Sequence, residues 1–299
     1  AGAGAGGNPR LRPRRRSSCG FKDAHVLSGH TDSVSALACW GDKLVSGGWD
    51  TVIKVWDPET WACERTLSDH SGTVRALFVL EGEGRVVSAS DDNMVKVWNP
   101  ENWTLVRTLD AHEHAVNALA HCRGRLVSAA DDGSIKLWDT QRWACEVTVH
   151  QNGGILALAV CGDKLIAGGD DCTITVYDGA TWTVERQWEA HGGEVWGLCV
   201  LRGLLVSASV DHTLKVWDPA GGAWRREAEL RGHAGAVYEV AALEDRLISA
   251  SADGTIKVWN MDWQCEKTQR CEGGMVWALC VYKNRLVTGS DDHSIKVWV

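Results

Sequence analysis

The residue types of a serine hydrolase recur along this chain at matched spacing. They are His30, Ser46 and Asp50; His70, Ser88 and Asp92; His112, Ser128 and Asp132; His191, Ser207 and Asp211; and His233, Ser249 and Asp253. In acyl transfer such an Asp orients the imidazole, which takes the hydroxyl proton as the oxygen attacks. Five copies argue against that chemistry, because a catalytic site is built once. Each Asp is also followed six residues later by Trp56, Trp98, Trp138, Trp217 or Trp259. A carboxylate and an indole taken out of water need polar partners, and Ser and His supply them. The sets therefore read as repeated structural devices, and the chain as non-enzymatic, with no catalytic residue, metal or cofactor. The eleven Cys contain no Cys-x-x-Cys pair. Their expected role is that of small apolar fillers in a reducing compartment.

The element that positions these residues is a repeat. An Asp-to-aromatic phrase occurs as Asp50–Trp56, Asp92–Trp98, Asp132–Trp138, Asp171–Tyr177, Asp211–Trp217, Asp253–Trp259 and Asp292–Trp298, the aromatics lying 42, 40, 39, 40, 42 and 39 residues apart. A unit of that length cannot bury its own apolar face, so copies must pack on one another. Residues 30–67 show its content: apolar runs Val34–Cys39, Lys43–Gly47, Val52–Trp56 and Trp61–Leu67, separated by Gly, Asp and Pro. These predict four antiparallel strands. The fold class expected is all-β: a closed seven-bladed β-propeller of four-stranded antiparallel blades. The 299 residues leave none over for a second core.

Charge is divided unevenly. Residues 1–16 hold five Arg and no acid; without them, 26 basic residues face 39 acidic ones, a body near −13. That surface argues against nucleic acid as a partner. No apolar run reaches the roughly 18–20 residues of a membrane helix. Residues 1–20, rich in Ala and Gly and then in Arg and Pro, read as a disordered arm, with 21–299 as the propeller. The cytoplasm is the expected compartment, and Pro13–Arg16 could serve as a nuclear-import signal. A chain opening on Ala1 is expected of a piece of a longer protein.

Over residues 21–299 the sequence resembles the WD-repeat family. Trp56-Asp57, Trp138-Asp139 and Trp217-Asp218 match the dipeptide that names it, and Gly29-His30 and Gly232-His233 match the pair that opens its repeats. The resemblance implies one hydrogen-bonded network of His, Ser or Thr, Asp and Trp in each blade. Blade seven keeps Thr288, Asp292 and Trp298 but has Glu272 for His; blade four has Gln151, Ala167 and Tyr177. Looser anchoring is expected in both. The last repeat stops just after Trp298, so Phe21–Leu27 is expected to supply its outer strand and close the ring.

The same resemblance directs attention to the loops at the narrow end of the ring, three and five residues after the His position and just before the turn Asp. On one arc these give Trp49, Trp196, Tyr238, Met275 and Trp277; on the other, Arg75, Asp91, Asp131 and Asp170, with Asn117. Aromatic and Met side chains bury large area at small entropic cost, and the acids favour a basic segment with apolar anchors. A further Trp after each third strand (Trp61, Trp103, Trp143, Trp182, Trp224, Trp263) reads as packing for the outer strand. The expected function is a monomeric, non-enzymatic scaffold binding partner proteins or peptides. The alternatives are a substrate-recognition subunit of a ubiquitin ligase, or the propeller of a larger signalling enzyme such as a kinase. Against the ligase stand the single Arg on the narrow face and the missing Trp-Asp-x-Arg step.

Overall fold

The computed structural model describes residues 23–298. The arm assigned to residues 1–20, together with Phe21 and Lys22, lies outside the described residues. Seven four-stranded antiparallel sheets follow one another. Blade one is Val34–Trp40, Lys43–Gly48, Ile53–Trp56 and Cys63–Leu67, running from the axis outward. The composition of each strand follows its radius. Second strands such as Leu-Val-Ser-Gly-Gly and Val-Val-Ser-Ala-Ser are buried on both faces and carry only small or apolar residues. Outer strands such as Cys63–Leu67 face solvent and are polar. Among the described residues there is no α-helix; Glu81–Glu83 and Ala220–Gly222 form single 3₁₀ turns.

Each inner strand packs against that of the next blade, and blade seven's against blade one's, so the ring is closed. The core is correspondingly divided into seven clusters, one per interface. Val45, Ile53 and Val55 of blade one meet Val74, Val86 and Trp98 of blade two, for example. Every network Trp is buried in such a seam, as are Tyr177 and Trp298.

The expected closure is present. Asp23–Leu27 pairs antiparallel with Ile295–Trp298, with Leu27 opposite Ile295 and His25 opposite Val297. Leu27 is buried with Val34, Leu44 and Trp56 of blade one and Val287 of blade seven. Across this last seam Tyr282 donates to the carbonyl of Asp42 at 2.7 Å, and the Cys39 and Cys280 sulfurs lie 3.7 Å apart.

Two expectations need correction. Trp61 does not begin the outer strand, which starts at Cys63. It occupies the preceding turn at φ 58°, and its five counterparts do likewise, at φ 46–60°. A bulky residue adopts this left-handed conformation only under constraint. Here the Trp61 N–H donates back to the Asp57 carbonyl at 2.8 Å, while the Asp57 carboxylate accepts the N–H groups of Glu59 and Thr60. The rings then lie on the neighbouring blade, as Trp61 does edge-on to Tyr282. Second, Cys63, Cys145 and Cys265 are exposed outer-strand residues and fill no core.

Candidate functional site

The residues that could have formed a hydrolase are sealed. In blade one the Trp56 indole donates to Ser46 Oγ at 2.8 Å. Ser46 Oγ lies 2.7 Å from His30 Nε2, and His30 Nδ1 lies 2.8 Å from Asp50 Oδ2. One direction of donation satisfies every atom: indole to hydroxyl, hydroxyl to Nε2, Nδ1–H to carboxylate. That is the proton polarity of a triad. Yet Ser46, Ser88, Ser128, Ser207 and Ser249 are all 0% exposed, so no substrate carbonyl reaches an oxygen. Burial keeps His191 and His233 below the ordinary imidazole value and His112 down to about 4, hence neutral. For Asp92, burial pushes upward, but His70 and the N–H groups of Ser71 and Met94 outweigh it and hold the carboxyl at about 2.

The sets are not identical. In blade three the 2.7 Å contact of His112 Nδ1 is to Ser134, with Asp132 at 3.4 Å. In blade four Tyr177 donates to Gln151 Oε1 at 2.8 Å, across the space that Trp, Ser and His fill elsewhere. Blade seven keeps the bond from Trp298 to Thr288, at 3.1 Å, and turns Asp292 toward Ser294 and Lys296.

At the narrow end the local backbone explains which side chains are offered. The pairing between first and second strands slips between the first and third residues of every inner strand. Such a bulge re-aims the residue it displaces. The displaced residues are Ser35, Arg75, Asn117, Leu156, Trp196, Tyr238 and Trp277, and all seven line one cavity of about 90 Å³ at the mouth of the axial channel. Four aromatic rings form a continuous wall there. Tyr238 stacks on Trp277 with centroids 4.3 Å apart, Trp49 meets Trp277 at 5.5 Å, and Trp196 stands edge-on to Tyr238 at 5.5 Å. Trp49 is 39% exposed. Trp196 donates its indole N–H to Glu194 at 2.7 Å and Trp277 to Asp291 at 3.3 Å. Burial raises the Tyr238 phenol, and the charges of Glu194 and Asp291 raise it further, so it stays protonated.

The structure thus gathers Trp49, Arg75, Asn117, Trp196, Tyr238 and Trp277 around one opening and leaves Met275, Asp91, Asp131 and Asp170 outside its lining. Met275 lines a separate hollow with Asp253, Cys271 and Gly274. Asp91 is held by Arg75 through two bonds, at 2.6 and 3.1 Å, and Asp131 accepts from Asn117 at 2.6 Å. Asp170 is exposed, outside the cavity lining. Of the acids expected to meet a basic partner, two already have partners of their own.

Sequence reasoning missed Glu194, Asp291 and Glu239. The first two occupy the same face positions as Met275 and Trp49, so the spacing rule itself pointed to them. Glu239 follows Tyr238 at a site held in the other blades by Ala36, Ala76, Ala118, Ala157, Gly197 and Ala278. It lines both the mouth cavity and the channel of about 190 Å³ beneath it. Among the described residues, the one hydrogen bond to its carboxylate comes from the Val240 N–H, at 3.2 Å. Burial pushes its carboxyl up to about 7.

A closed ring of seven such sheets defines a seven-bladed β-propeller. The description "WD domain, G-beta repeat" matches residues 21–57, 61–99, 103–139, 143–178, 182–218, 224–260 and 263–299, and the chain belongs to this family. Among curated relatives, WD repeat-containing protein pop1 of Schizosaccharomyces pombe is 41% identical over 54 residues, 18% of this chain and 7% of that protein. WD repeat-containing protein pop2 of the same yeast is 47% identical over 47 residues, 16% of this chain and 7% of that protein. Cell division control protein 4 of Saccharomyces cerevisiae is 41% identical over 56 residues, 18% and 7% of the two chains. The matched segments are a small part of each relative's length.

Proposed function

We propose that this chain is a protein-interaction scaffold that docks a partner protein or peptide on the narrow face, over the Trp49–Trp277–Tyr238–Trp196 wall. The observation that carries this reading is the wall itself: four large rings, packed on one another and partly open to solvent, on one arc of the ring. Rings pre-packed in this way lose little freedom on binding, which is what a hot spot requires. WD-repeat propellers typically act as such scaffolds, and the family membership supports the reading.

The test is quantitative affinity capture with the wild-type chain, a W49A/W196A/Y238A/W277A variant, and a D131A/D170A variant altered on the opposite arc. Partners lost with the aromatic variant and retained with the acidic one support the assignment. Equal partner sets for wild type and aromatic variant refute it, provided all three proteins melt cooperatively.

A further inference from the structure

Glu239 is the odd residue in this ring. At its position the inner strands crowd one another: in the preceding blade, a side chain on Gly197 would come within 2.9 Å of the Tyr238 carbonyl and 3.3 Å of Glu239 Cα. The equivalent residues are Ala in five blades and Gly in one, as crowding demands. A carboxylate there has no packing rationale. Among the described residues no cation lowers its carboxyl either. Inner-strand Cys199 and Cys280, in the flanking blades, feel its negative charge; burial pushes the Cys199 thiol upward, and the contact with Cys39 together with burial pushes up that of Cys280. The cation nearest the mouth, Arg75, is engaged with Asp91 on the same blade.

Around this carboxylate the mouth supplies aromatic surface. Trp49, Trp196, Tyr238 and Trp277 line the same 90 Å³ cavity as Glu239, with Glu194 and Asp291 behind the two indoles. Aromatic faces attract cations through their quadrupole, most strongly where water is excluded. A planar guanidinium can lie against such a ring and fork onto a carboxylate, and it is less strongly hydrated than an ammonium. The cavity has the volume of roughly three waters, room for the four heavy atoms of a guanidinium head. The acidic body adds long-range attraction for a basic segment.

We propose that this cavity is a subsite for the guanidinium of an arginine carried by the docked partner, with the aromatic rings as walls and Glu239 as counter-ion. The proposal rests on the narrow face being the docking surface, and specifies what that surface reads.

The probes are N-acetyl-arginine methylamide and its lysine, trimethyllysine and citrulline counterparts, titrated while the indole N–H resonances of the uniformly labelled full chain are followed. The arginine probe is expected to shift the Trp196 and Trp277 resonances saturably, with citrulline, the same shape without charge, leaving them in place. In E239Q, which keeps the volume, arginine affinity should fall at least about tenfold, the loss expected when one partner of a charged hydrogen bond is removed. Urea melts of both proteins establish that E239Q is folded. Citrulline matching arginine, or E239Q binding arginine like wild type, overturns the proposal. Tighter binding of the lysine or trimethyllysine probe overturns the guanidinium assignment. If the aromatic variant loses its captured partners while E239Q keeps them all, the subsite falls and the docking surface stands. If both keep them, the docking surface itself is refuted.

Discussion

Glu239→Gln offers the sharpest energetic test of this description. In the folded chain the carboxyl is raised from its ordinary 4.5 to about 7 because burial disfavours its charge. The folded state therefore holds a proton that the unfolded chain releases between those two values. The sign follows from linkage: Glu239's contribution to wild-type stability is greatest below about pH 4.5, declines as pH rises through 7, and levels off above. A shift of about 2.5 pH units corresponds to roughly 3.4 kcal/mol at full desolvation. The residue keeps some exposure to the channel, so about 1–3 kcal/mol is the expected size. Gln carries no charge and escapes this loss. The assay is urea unfolding of both proteins at intervals from about pH 4 to 9, reading the difference in stability at each. His112, His191 and His233, whose lowered values give the opposite slope, are common to both and cancel. E239Q should gain on wild type by that amount between about pH 4.5 and 8. A difference that stays flat would show that Glu239 titrates as it does in water, and the claim of an uncompensated channel carboxylate would fail.

Further expectations concern the scaffold. Asp92→Ala removes the acceptor of His70 Nδ1 and of the Ser71 and Met94 N–H groups, and should cost about 1–3 kcal/mol in urea melts; an unchanged midpoint would contradict the network's role. Deleting residues 1–28 removes the outer strand of blade seven, and soluble yield and cooperativity should collapse, whereas deleting 1–18 leaves that strand whole; identical behaviour of the two truncations would count against closure. Iodoacetamide should label Cys63, Cys145 and Cys265 before Cys122 and Cys271, which are 1% and 2% exposed; mass mapping showing the reverse order would contradict the outer-strand assignment.

Much of the architecture was written in the spacing of one phrase. Seven Asp-to-aromatic phrases recurring about every 40 residues, with four apolar runs in each repeat, are enough to define blade number, strand count and the closing strand, because periodicity reports directly on burial. Dihedral angles leave no such trace: nothing in Trp61 announces a left-handed turn, a conformation that goes with the hydrogen bond to Asp57 and the ring's seat on the neighbouring blade. The aromatic wall was legible residue by residue, since each ring falls at a repeat-defined position. Its pairing was not: whether Asp91 meets a partner or Arg75 depends on a strand bulge and a turn that meet only in three dimensions. Met275 fell on the right kind of position but outside the cavity, whose lining is drawn mainly from the bulged residues, with Trp49 and Glu239. Glu239 was visible as the one acid in a column of Ala and Gly, one residue beyond the positions inspected.

The pairing of Asp23–Leu27 with Ile295–Trp298 has a consequence for biogenesis. Within the propeller the earliest-made strand waits for the latest-made one, and at typical ribosomal speed that delay is on the order of tens of seconds. Throughout it, nascent sheets can stack one after another while the earliest edge stays unzipped and exposed to other chains. The toroid therefore snaps shut only once its final repeat has left the exit tunnel, and chaperone demand should peak at that stage of synthesis.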